Sequence, residues 1–279
     1  MLEKRNHAYR TDLADEALRG AVEAARFVKG VAHQIIAPIA TLYRTPELSG
    51  LQETQVLFGE TCRVFEVNDG FAFVQLDHDR YVGYLAVSTL STQVETATHT
   101  VAVPSTLVYP EPNIKTQIPF TLFLNSPVCV TAQTGNFAAL FGGGFVYADH
   151  VALLGDTAVD FVGVAERFLH APYLWGGKSV HGLDCSGLVQ ISLHAVGRPA
   201  PRDADMQEQD LGRHLLVNDL GNLRRGDLVF WNGHVGIMQN DTMLLHANGY
   251  HMLTVSEPLA QAVERIAKTA GLPTAIKRL

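Results

Sequence analysis

One cysteine lies where a helix is expected to begin. Cys185 follows Asp184 and precedes Ser186 and Gly187, and the apolar spacing that follows predicts a buried helix ending near Gly197. In the first turn of a helix, unpaired backbone N–H groups and the helix dipole favour an anion, which lowers the pKa of a thiol. The position therefore predicts a nucleophilic thiolate at Cys185, and such a nucleophile needs a base.

Two histidines in a strand-rich segment are the candidate bases. His234 opens a predicted strand after the Asn232-Gly233 turn, and His246 lies near the end of the next strand. Antiparallel pairing can bring the two imidazoles side by side. We expect Cys185 to attack, His234 to accept and return the proton, and His246 to fix the tautomer of His234. The pattern predicts a papain-type Cys–His–His site.

The segments around these residues resemble the NlpC/P60 cysteine peptidases of bacterial cell-wall metabolism. They are Tyr173 to Gly177, Asp184 to Leu188, Arg225 to Trp231, His234 to Ile237 and Leu245 to Ala247. By that resemblance Cys185 is the nucleophile, His234 the base and His246 the third polar residue. The resemblance spans about residues 158–279 and implies a papain-like α+β domain that uses no metal and no cofactor.

Composition narrows the class of protein and its partners. With 279 residues, of which 47% are hydrophobic, the chain can form two or three domains with separate cores. The net charge of −7 disfavours a nucleic-acid-binding surface. Cys62, Cys129 and Cys185 are widely spaced and odd in number, so they indicate a reducing compartment rather than a disulfide framework.

The start of the chain and its hydropathy bear on localisation. Met1 to Arg10 is charged and lacks the apolar segment of a secretory signal. No run approaches the roughly 20 apolar residues that a membrane helix needs. We therefore expect a cytoplasmic protein with neither a membrane nor a nucleic-acid partner.

The segment from residue 12 to residue 29 has apolar residues at helical spacing. They run from Leu13 to Val28, Asp12 can cap the start, and Gly30 can close the end. The pattern predicts that residues 1–30 form an N-terminal helical segment.

Residues 31–95 and 97–154 alternate short β-rich runs with tight turns, which is typical of small barrels. The first region resembles a bacterial SH3-like domain, and the second resembles a weaker copy of it. The segments that carry this resemblance are Leu57 to Glu60, Asn68 to Phe71 and Tyr81 to Leu85, then Thr121 to Val130 and Gly144 to Ala148. The predicted fold class is α+β, with two SH3-like β-barrels before a peptidase domain at residues 158–279.

Two SH3-like domains before such a peptidase resemble the YkfC-like subgroup of γ-D-glutamyl-L-diamino acid endopeptidases. That resemblance implies hydrolysis of the γ-D-glutamyl–L-diamino acid bond in free murein peptides with an N-terminal L-Ala, in cell-wall peptide recycling. It also implies that the first SH3-like domain closes one end of the cleft. The preferred diamino acid, lysine or diaminopimelate, stays open.

The same resemblance assigns six residues to substrate binding: Tyr173, Trp175, Asp184, Ser186, Glu60 and Tyr81. Asp184 and Ser186 would hold the substrate ammonium and neighbouring backbone, and Tyr173 would line the oxyanion site. A carboxylate opposite an ammonium supplies a charge-assisted hydrogen bond worth about 1.5–3 kcal/mol. Ala204 departs from the family pattern, which often has serine there, so fine substrate preference stays open.

Three other interpretations remain at this point. Cys185, His234 and His246 are all competent zinc ligands, although their spacing is not that of a local zinc motif. The chain could also be a murein hydrolase acting on intact cell wall, or a non-catalytic wall-binding SH3-like protein. A thiol alkylator, a chelator and intact murein distinguish these alternatives.

Overall fold

The computed structural model describes residues 2–117, 120–216 and 220–279. The chain divides into two compact units, Met1–Leu154 and Gly155–Leu279. Within the described residues, the first unit is built from strands and short 3-10 turns, whereas every α-helix lies in the second. The α+β class is therefore confirmed.

The first part of unit 1 contains a seven-stranded antiparallel sheet and a separate pair of short strands. The strands are β1 (Ala14–Asp15), β2 (Phe27–Val28), β3 (Val31–Ile35), β4 (Ile39–Tyr43), β5 (Gln52–Leu57), β6 (Thr61–Asn68), β7 (Phe71–Leu76), β8 (Val82–Ala86) and β9 (Leu90–Ser91). The order across the sheet is β5-β4-β8-β7-β6-β3-β9, while β1 and β2 form a separate parallel pair. Alternate residues such as Leu42, Val74 and Leu85 point inward and form the core.

The second part of unit 1 contains three smaller sheets. Its strands are β10 (His99–Val101), β11 (Ser105–Val108), β12 (Phe120–Phe123), β13 (Pro127–Val128), β14 (Val130–Thr134), β15 (Phe137–Leu140), β16 (Phe145–Tyr147) and β17 (Val151–Leu153). They pair as β13-β10-β17, β11-β12 and β14-β15-β16. Phe58 packs on this second core, and a side chain at Gly59 would meet the Pro127 carbonyl oxygen at 1.9 Å. The strands of unit 1 pair in several separate sheets. The two SH3-like barrels therefore stay a prediction.

The prediction of an N-terminal helix is wrong. Between residues 12 and 29 the structure has β1, β2 and one 3-10 turn, Glu16–Leu18. Gly20 adopts a φ of +85°, which no right-handed helix accommodates. Leu13 is buried with Phe65 and Phe73, while Ala17, on the same predicted stripe, is exposed. Burial of one leucine in the sheet core thus outweighs the helical spacing of a run of alanines.

Unit 2 is a six-stranded antiparallel sheet with helices packed on it. Its elements are α1 (Phe161–Glu166), β18 (Lys178–Ser179), β19 (Gly182–Leu183), α2 (Cys185–Ala195), α3 (Ala204–Asp210), β20 (Arg213–Leu215), β21 (Asp227–Trp231), β22 (His234–Met238), β23 (Met243–Asn248), β24 (Leu253–Pro258), α4 (Leu259–Ile266) and β25 (Ala275–Arg278). The sheet order is β20-β25-β21-β22-β23-β24. Helix α2 contacts β22 and β23, and α4 contacts β23 and β24.

Two predicted local features position the candidate site. Helix α2 begins at Cys185, and Gly197 follows its end with a φ of +74°. The hairpin between β21 and β22 turns at Asn232-Gly233, which places Trp231 opposite His234. None of the helices in the described residues is long and apolar enough to cross a membrane.

We expect Leu13→Ala to destabilise unit 1 by about 2–5 kcal/mol, because Leu13 is fully buried and the cavity it leaves is lined by aromatic rings. Leu18→Ala is the control, since Leu18 lies on the predicted helical stripe but is only half-buried. Urea unfolding followed by circular dichroism measures both. Equal losses from the two variants would contradict the observed packing.

Candidate active site

The carboxylate of Asp184 organises the start of α2. Asp184 is the N-cap, and its Oδ1 accepts the backbone N–H of Gly187 at 2.7 Å. Its Oδ2 accepts the backbone N–H of Gly176 at 2.7 Å. One side chain therefore ties the helix that carries Cys185 to the aromatic loop that begins at Tyr173.

A buried arginine balances the charge of that carboxylate. Arg202 is 1% exposed and donates Nη1 to Asp184 Oδ1 at 3.0 Å and Nη2 to Asp184 Oδ2 at 2.7 Å. Nη1 also donates to Ser186 Oγ at 3.0 Å. This bidentate pair is the geometry in which a guanidinium binds a carboxylate most strongly. Gln207 also holds Ser186 in place, because its Nε2 donates to the Ser186 carbonyl oxygen at 2.9 Å.

Arg202 and Gln207 are not among the site residues predicted from the sequence. A signal existed, because a buried aspartate beside an apolar helix needs a cationic partner. The chain has 21 lysines and arginines, and their spacing alone does not indicate which of them pairs with Asp184. Ala204, the residue noted as a departure from the family pattern, opens α3 and is buried.

Cys185 is buried, and its thiol lies against the beginning of β22, an interior strand of the sheet. Its Sγ accepts the backbone N–H groups of Ser186 and Val235. The pairs between β22 and β23 are Ile237 with Leu245 and Met238 with Leu244. The pairing of β22 with β23 therefore ends before Val235. Cys185, the first residue of α2, lies at that position, next to the end of β22 that carries His234.

The expectation of an acidic thiol is wrong for the resting structure. Burial, with a smaller contribution from the charge of Asp184, raises the pKa of Cys185 to about 12. The backbone N–H groups of Val235 and Ser186 and the charge of Arg202 oppose this shift without cancelling it. Desolvation penalises the thiolate more than the helix N-terminus favours it. The N-cap of this helix is also an anion, which disfavours a second negative charge next to it.

The two histidines lie side by side, as the sequence predicted, and Glu257 extends them into a hydrogen-bonded chain. His234 Nε2 and His246 Nδ1 are 2.8 Å apart, and His246 Nε2 lies 2.7 Å from Glu257 Oε1. Burial lowers the pKa of His234 to about 3, with smaller contributions from His246 and Arg265. Burial also lowers the pKa of His246, although Glu257 opposes that shift. Both imidazoles are therefore neutral at pH 7 and available as bases.

The same contacts bear on the zinc interpretation. Both ring nitrogens of His246 are within hydrogen-bonding distance of other side chains, one of them the proposed co-ligand His234. Two zinc ligands would instead direct lone pairs at a shared ion about 2.0–2.1 Å from each nitrogen. The geometry of His234 and His246 therefore fits a proton relay and does not fit a metal centre.

The remaining predicted residues of unit 2 differ in how deeply they are buried. Tyr173 is half-buried, and burial followed by the nearby Cys185 and Asp184 raises its pKa to about 12, so its hydroxyl stays a donor. Ser186 is buried, and its Oγ lies 3.4 Å from Asp184 Oδ1. Trp175 is 57% exposed on the loop before β18.

Glu60 and Tyr81 lie in unit 1, and both are buried there. Glu60 Oε2 accepts the backbone N–H of Leu57 at 2.9 Å, and its Oε1 lies 3.9 Å from His78 Nε2. Tyr81 is 2% exposed and belongs to the core of the large sheet. Their assignment to the substrate cleft stays a prediction.

Two regions of the chain match known protein families. Residues 170–268 match the NlpC/P60 family, and residues 42–90 match the bacterial dipeptidyl-peptidase SH3 domain. The chain is 26% identical to dipeptidyl-peptidase 6 of Lysinibacillus sphaericus over 238 residues, which are 77% of this chain and 86% of that protein. It is 29% identical to the γ-D-glutamyl-L-lysine dipeptidyl-peptidase of Bacillus subtilis over 234 residues, 74% of this chain and 77% of that protein.

A solved structure shows the same fold. The crystal structure of an NlpC/P60 family protein from Bacillus cereus ATCC 10987 superposes with a TM-score of 0.72 and 19% identity. The match covers 88% of this chain and 99% of that one. The similarity therefore extends over both units, each taken by itself.

Removing the buried cation should destabilise unit 2 strongly. We expect Arg202→Met to cost about 3–5 kcal/mol, because it leaves the Asp184 carboxylate buried and uncompensated. Arg225→Met is the matched control and should cost at most about 1 kcal/mol, since the pair of Arg225 with Asp160 is largely solvent-exposed. Trp175 and Trp231 both lie in unit 2, so urea unfolding followed by tryptophan fluorescence reports on it. Similar losses for the two variants would contradict this account.

The protonation state of Cys185 is open to a direct test. Because its pKa is about 12, the thiolate fraction should rise about tenfold per pH unit, and so should the rate of alkylation by iodoacetamide between pH 6 and pH 9. Peptide mapping in a Cys129→Ser background measures this rate without the half-buried second thiol. A rate that is flat below pH 8 would show a preformed thiolate–imidazolium pair and contradict the neutral one.

Proposed function

Because this protein is a cysteine peptidase with an NlpC/P60 domain and a bacterial SH3 domain, we propose that it hydrolyses the γ-D-glutamyl–L-diamino acid bond of free murein peptides. The observation that carries the proposal is the constellation in unit 2. Cys185 lies at the start of a helix against the strand of His234, and His234 is hydrogen-bonded to His246. The named specificity of the Bacillus subtilis relative, which aligns over 74% of this chain, supports the choice of bond.

Acylation in the proposed mechanism begins with a neutral thiol. Cys185 Sγ attacks the γ-carbonyl carbon of the D-glutamyl residue while its proton moves to His234. The pKa of about 12 for the thiol and about 3 for the imidazole disfavour a separated ion pair, so proton transfer accompanies formation of the C–S bond. The Tyr173 hydroxyl donates a hydrogen bond to the developing oxyanion.

Collapse of the tetrahedral intermediate completes the first half of the reaction. His234 gives its proton to the leaving α-amine of the diamino acid, the C–N bond breaks, and a thioester remains on Cys185. In the second half, His234 takes a proton from water, which attacks the thioester carbonyl carbon. The thiol leaves with the proton, and L-Ala-D-Glu is released.

Recognition of the substrate ammonium is the second part of the proposal. Asp184 and Ser186 are retained as its partners, with Trp175 as a wall of the pocket. The carboxylate of Asp184 already accepts two backbone N–H groups and Arg202, so a ligand ammonium would share it. Recognition at this point therefore depends on hydrogen-bond geometry more than on net charge.

The proposed cellular role is recycling of murein peptides in the cytoplasm. A reducing compartment keeps Cys185 as a thiol, and the free state of Cys62, Cys129 and Cys185 is compatible with that setting. A substrate that must carry a free amino terminus also excludes intact wall strands, because an acylated amine leaves the polar groups of the pocket unpaired.

The substrate proposal is tested with synthetic peptides. L-Ala-γ-D-Glu-L-Lys and L-Ala-γ-D-Glu-diaminopimelate should both release L-Ala-D-Glu, and N-acetylation should lower kcat/KM by about 10- to 100-fold through loss of the ammonium contacts. Mass spectrometry of the products gives these rates and ranks the two diamino acids. Equal cleavage of free and acetylated peptides would remove ammonium recognition from the account.

The nucleophile is tested in the same assay. Cys185→Ala should abolish release of L-Ala-D-Glu, whereas Cys129→Ala should retain it, because Cys129 lies in unit 1. Iodoacetamide should inactivate the enzyme and a chelator should not. Loss of activity to the chelator alone would favour the zinc interpretation instead.

A further inference from the structure

The hydrogen-bonded chain of the candidate site continues past its third member. Glu257 lies on β24 opposite Leu244, and His246 is two residues further along β23 on the same face of the sheet. Glu257 Oε1 lies 2.7 Å from Nε2 of His246, a residue with no exposed surface. The side chain of Glu257 is itself only 12% exposed.

We propose that Glu257 is a positioning residue that sets the direction of proton transfer along the chain from His246 to His234. The inference rests on the proposed function, because it assumes that His234 is the base for Cys185. Nothing in the sequence pattern around the cysteine or the two histidines pointed to a fourth member.

The direction follows from the hydrogen-bonding capacity of each group. An ionised carboxylate only accepts, so the contact with Glu257 requires a hydrogen on His246 Nε2. A neutral imidazole then has a bare Nδ1, which must accept the Nε2–H of His234 at 2.8 Å. That leaves Nδ1 of His234 as its basic nitrogen. With the opposite tautomer of His246, His234 would carry its hydrogen on Nδ1 and could not take the thiol proton.

The carboxylate must remain ionised for this to work, and its surroundings keep it so. His246 and Arg265 lower the pKa of Glu257 despite the burial that opposes the shift. Arg265 on α4 donates Nη2 to the same Oε1. Its guanidinium also lies over the ring of Tyr250, 4.6 Å from the ring centroid.

Arg265 has a second consequence for His246. A lone carboxylate next to an imidazole favours the imidazolium, and an imidazolium has no lone pair to accept from His234. Arg265 shares the negative charge, and the pKa of His246 stays below its ordinary value. The charged or titratable groups that act on His246 are His234, Glu257, Arg265 and His251. Burial, assisted by the charge of Arg265, therefore keeps the relay neutral, while Glu257 gives it direction.

The test combines kinetics with a direct view of the tautomer. In Glu257→Ala, kcat should fall at least about tenfold with KM little changed, because the fraction of His246 in the productive tautomer drops. Nitrogen-15 chemical shifts should show the His246 hydrogen on Nε2 in the unaltered protein and distributed over both nitrogens in the variant. Glu257→Gln should lie between them, because its amide oxygen accepts from Nε2–H without a charge.

Arg265→Met tests the charge balance. Removing the guanidinium leaves the full carboxylate beside His246, which raises the pKa of His246. Activity should then be lost at a higher pH on the acidic side of the profile and be retained above that pH. Glu264→Gln and Lys268→Met are matched controls on the exposed side of the same region and should leave the profile unchanged.

The outcomes separate this inference from the proposed function. If Cys185→Ala is inactive while Glu257→Ala keeps the original kcat and the original His246 tautomer, the inference is wrong and the proposed function stands. If Glu257→Ala lowers only the melting temperature, Glu257 is merely structural and the inference is again overturned. If the unaltered protein cleaves no murein peptide, the proposed function fails, and the nitrogen-15 spectra still decide whether Glu257 fixes the tautomer.

Discussion

The buried ion pair between Asp184 and Arg202 holds the candidate active site together. It caps α2, fixes the aromatic loop through the Gly176 amide, and orients Ser186 beside the nucleophile. A buried pair of this kind contributes little net stability compared with an apolar replacement of the same shape, but losing one partner is costly. Its value to the enzyme is therefore positional, because the Asp184 side chain caps the helix that begins at Cys185.

The same burial determines how the chemistry can proceed. Cys185 and His246 are buried and His234 is partly buried, and the shifts in their pKa values all disfavour charge in the resting site. Charge must then develop during the attack itself, where a Tyr173 donor and the neighbouring backbone N–H groups can stabilise it. A neutral resting pair also limits the reaction of the thiol with adventitious electrophiles, since the reactive thiolate is scarce.

The sequence predicted those parts of the protein that depend on local pattern. A cysteine before a buried helix, an Asn-Gly hairpin and two histidines on adjacent strands are each specified within a few residues, and the structure has all of them. The failures depend on distant partners. The helical spacing of residues 12–29 gave way to burial of Leu13 among Phe65 and Phe73, which lie about 50 residues further along the chain.

The prediction of an acidic thiol was wrong, and Arg202 and Glu257 were missed, for the same reason. A helix N-terminus suggests an anion, but how far burial outweighs it depends on the depth of Cys185 in the finished fold. Arg202 and Glu257 act on residues 18 and 11 positions away, and the sequence pattern around Cys185, His234 and His246 identifies neither of them. Charge balance in a buried site can be anticipated from a sequence, whereas the residue that supplies it becomes visible only in three dimensions.

The proposed function depends on hydrolysis through a thioester on Cys185. The most direct measurement is acid quenching of the reaction with L-Ala-γ-D-Glu-L-Lys at short times, followed by mass spectrometry of the peptide that contains Cys185. The account predicts an L-Ala-γ-D-glutamyl group on the sulfur of Cys185 that appears with release of lysine and decays with release of L-Ala-D-Glu. Turnover with an unmodified Cys185 at every time, or with the acyl group on another residue, would contradict it.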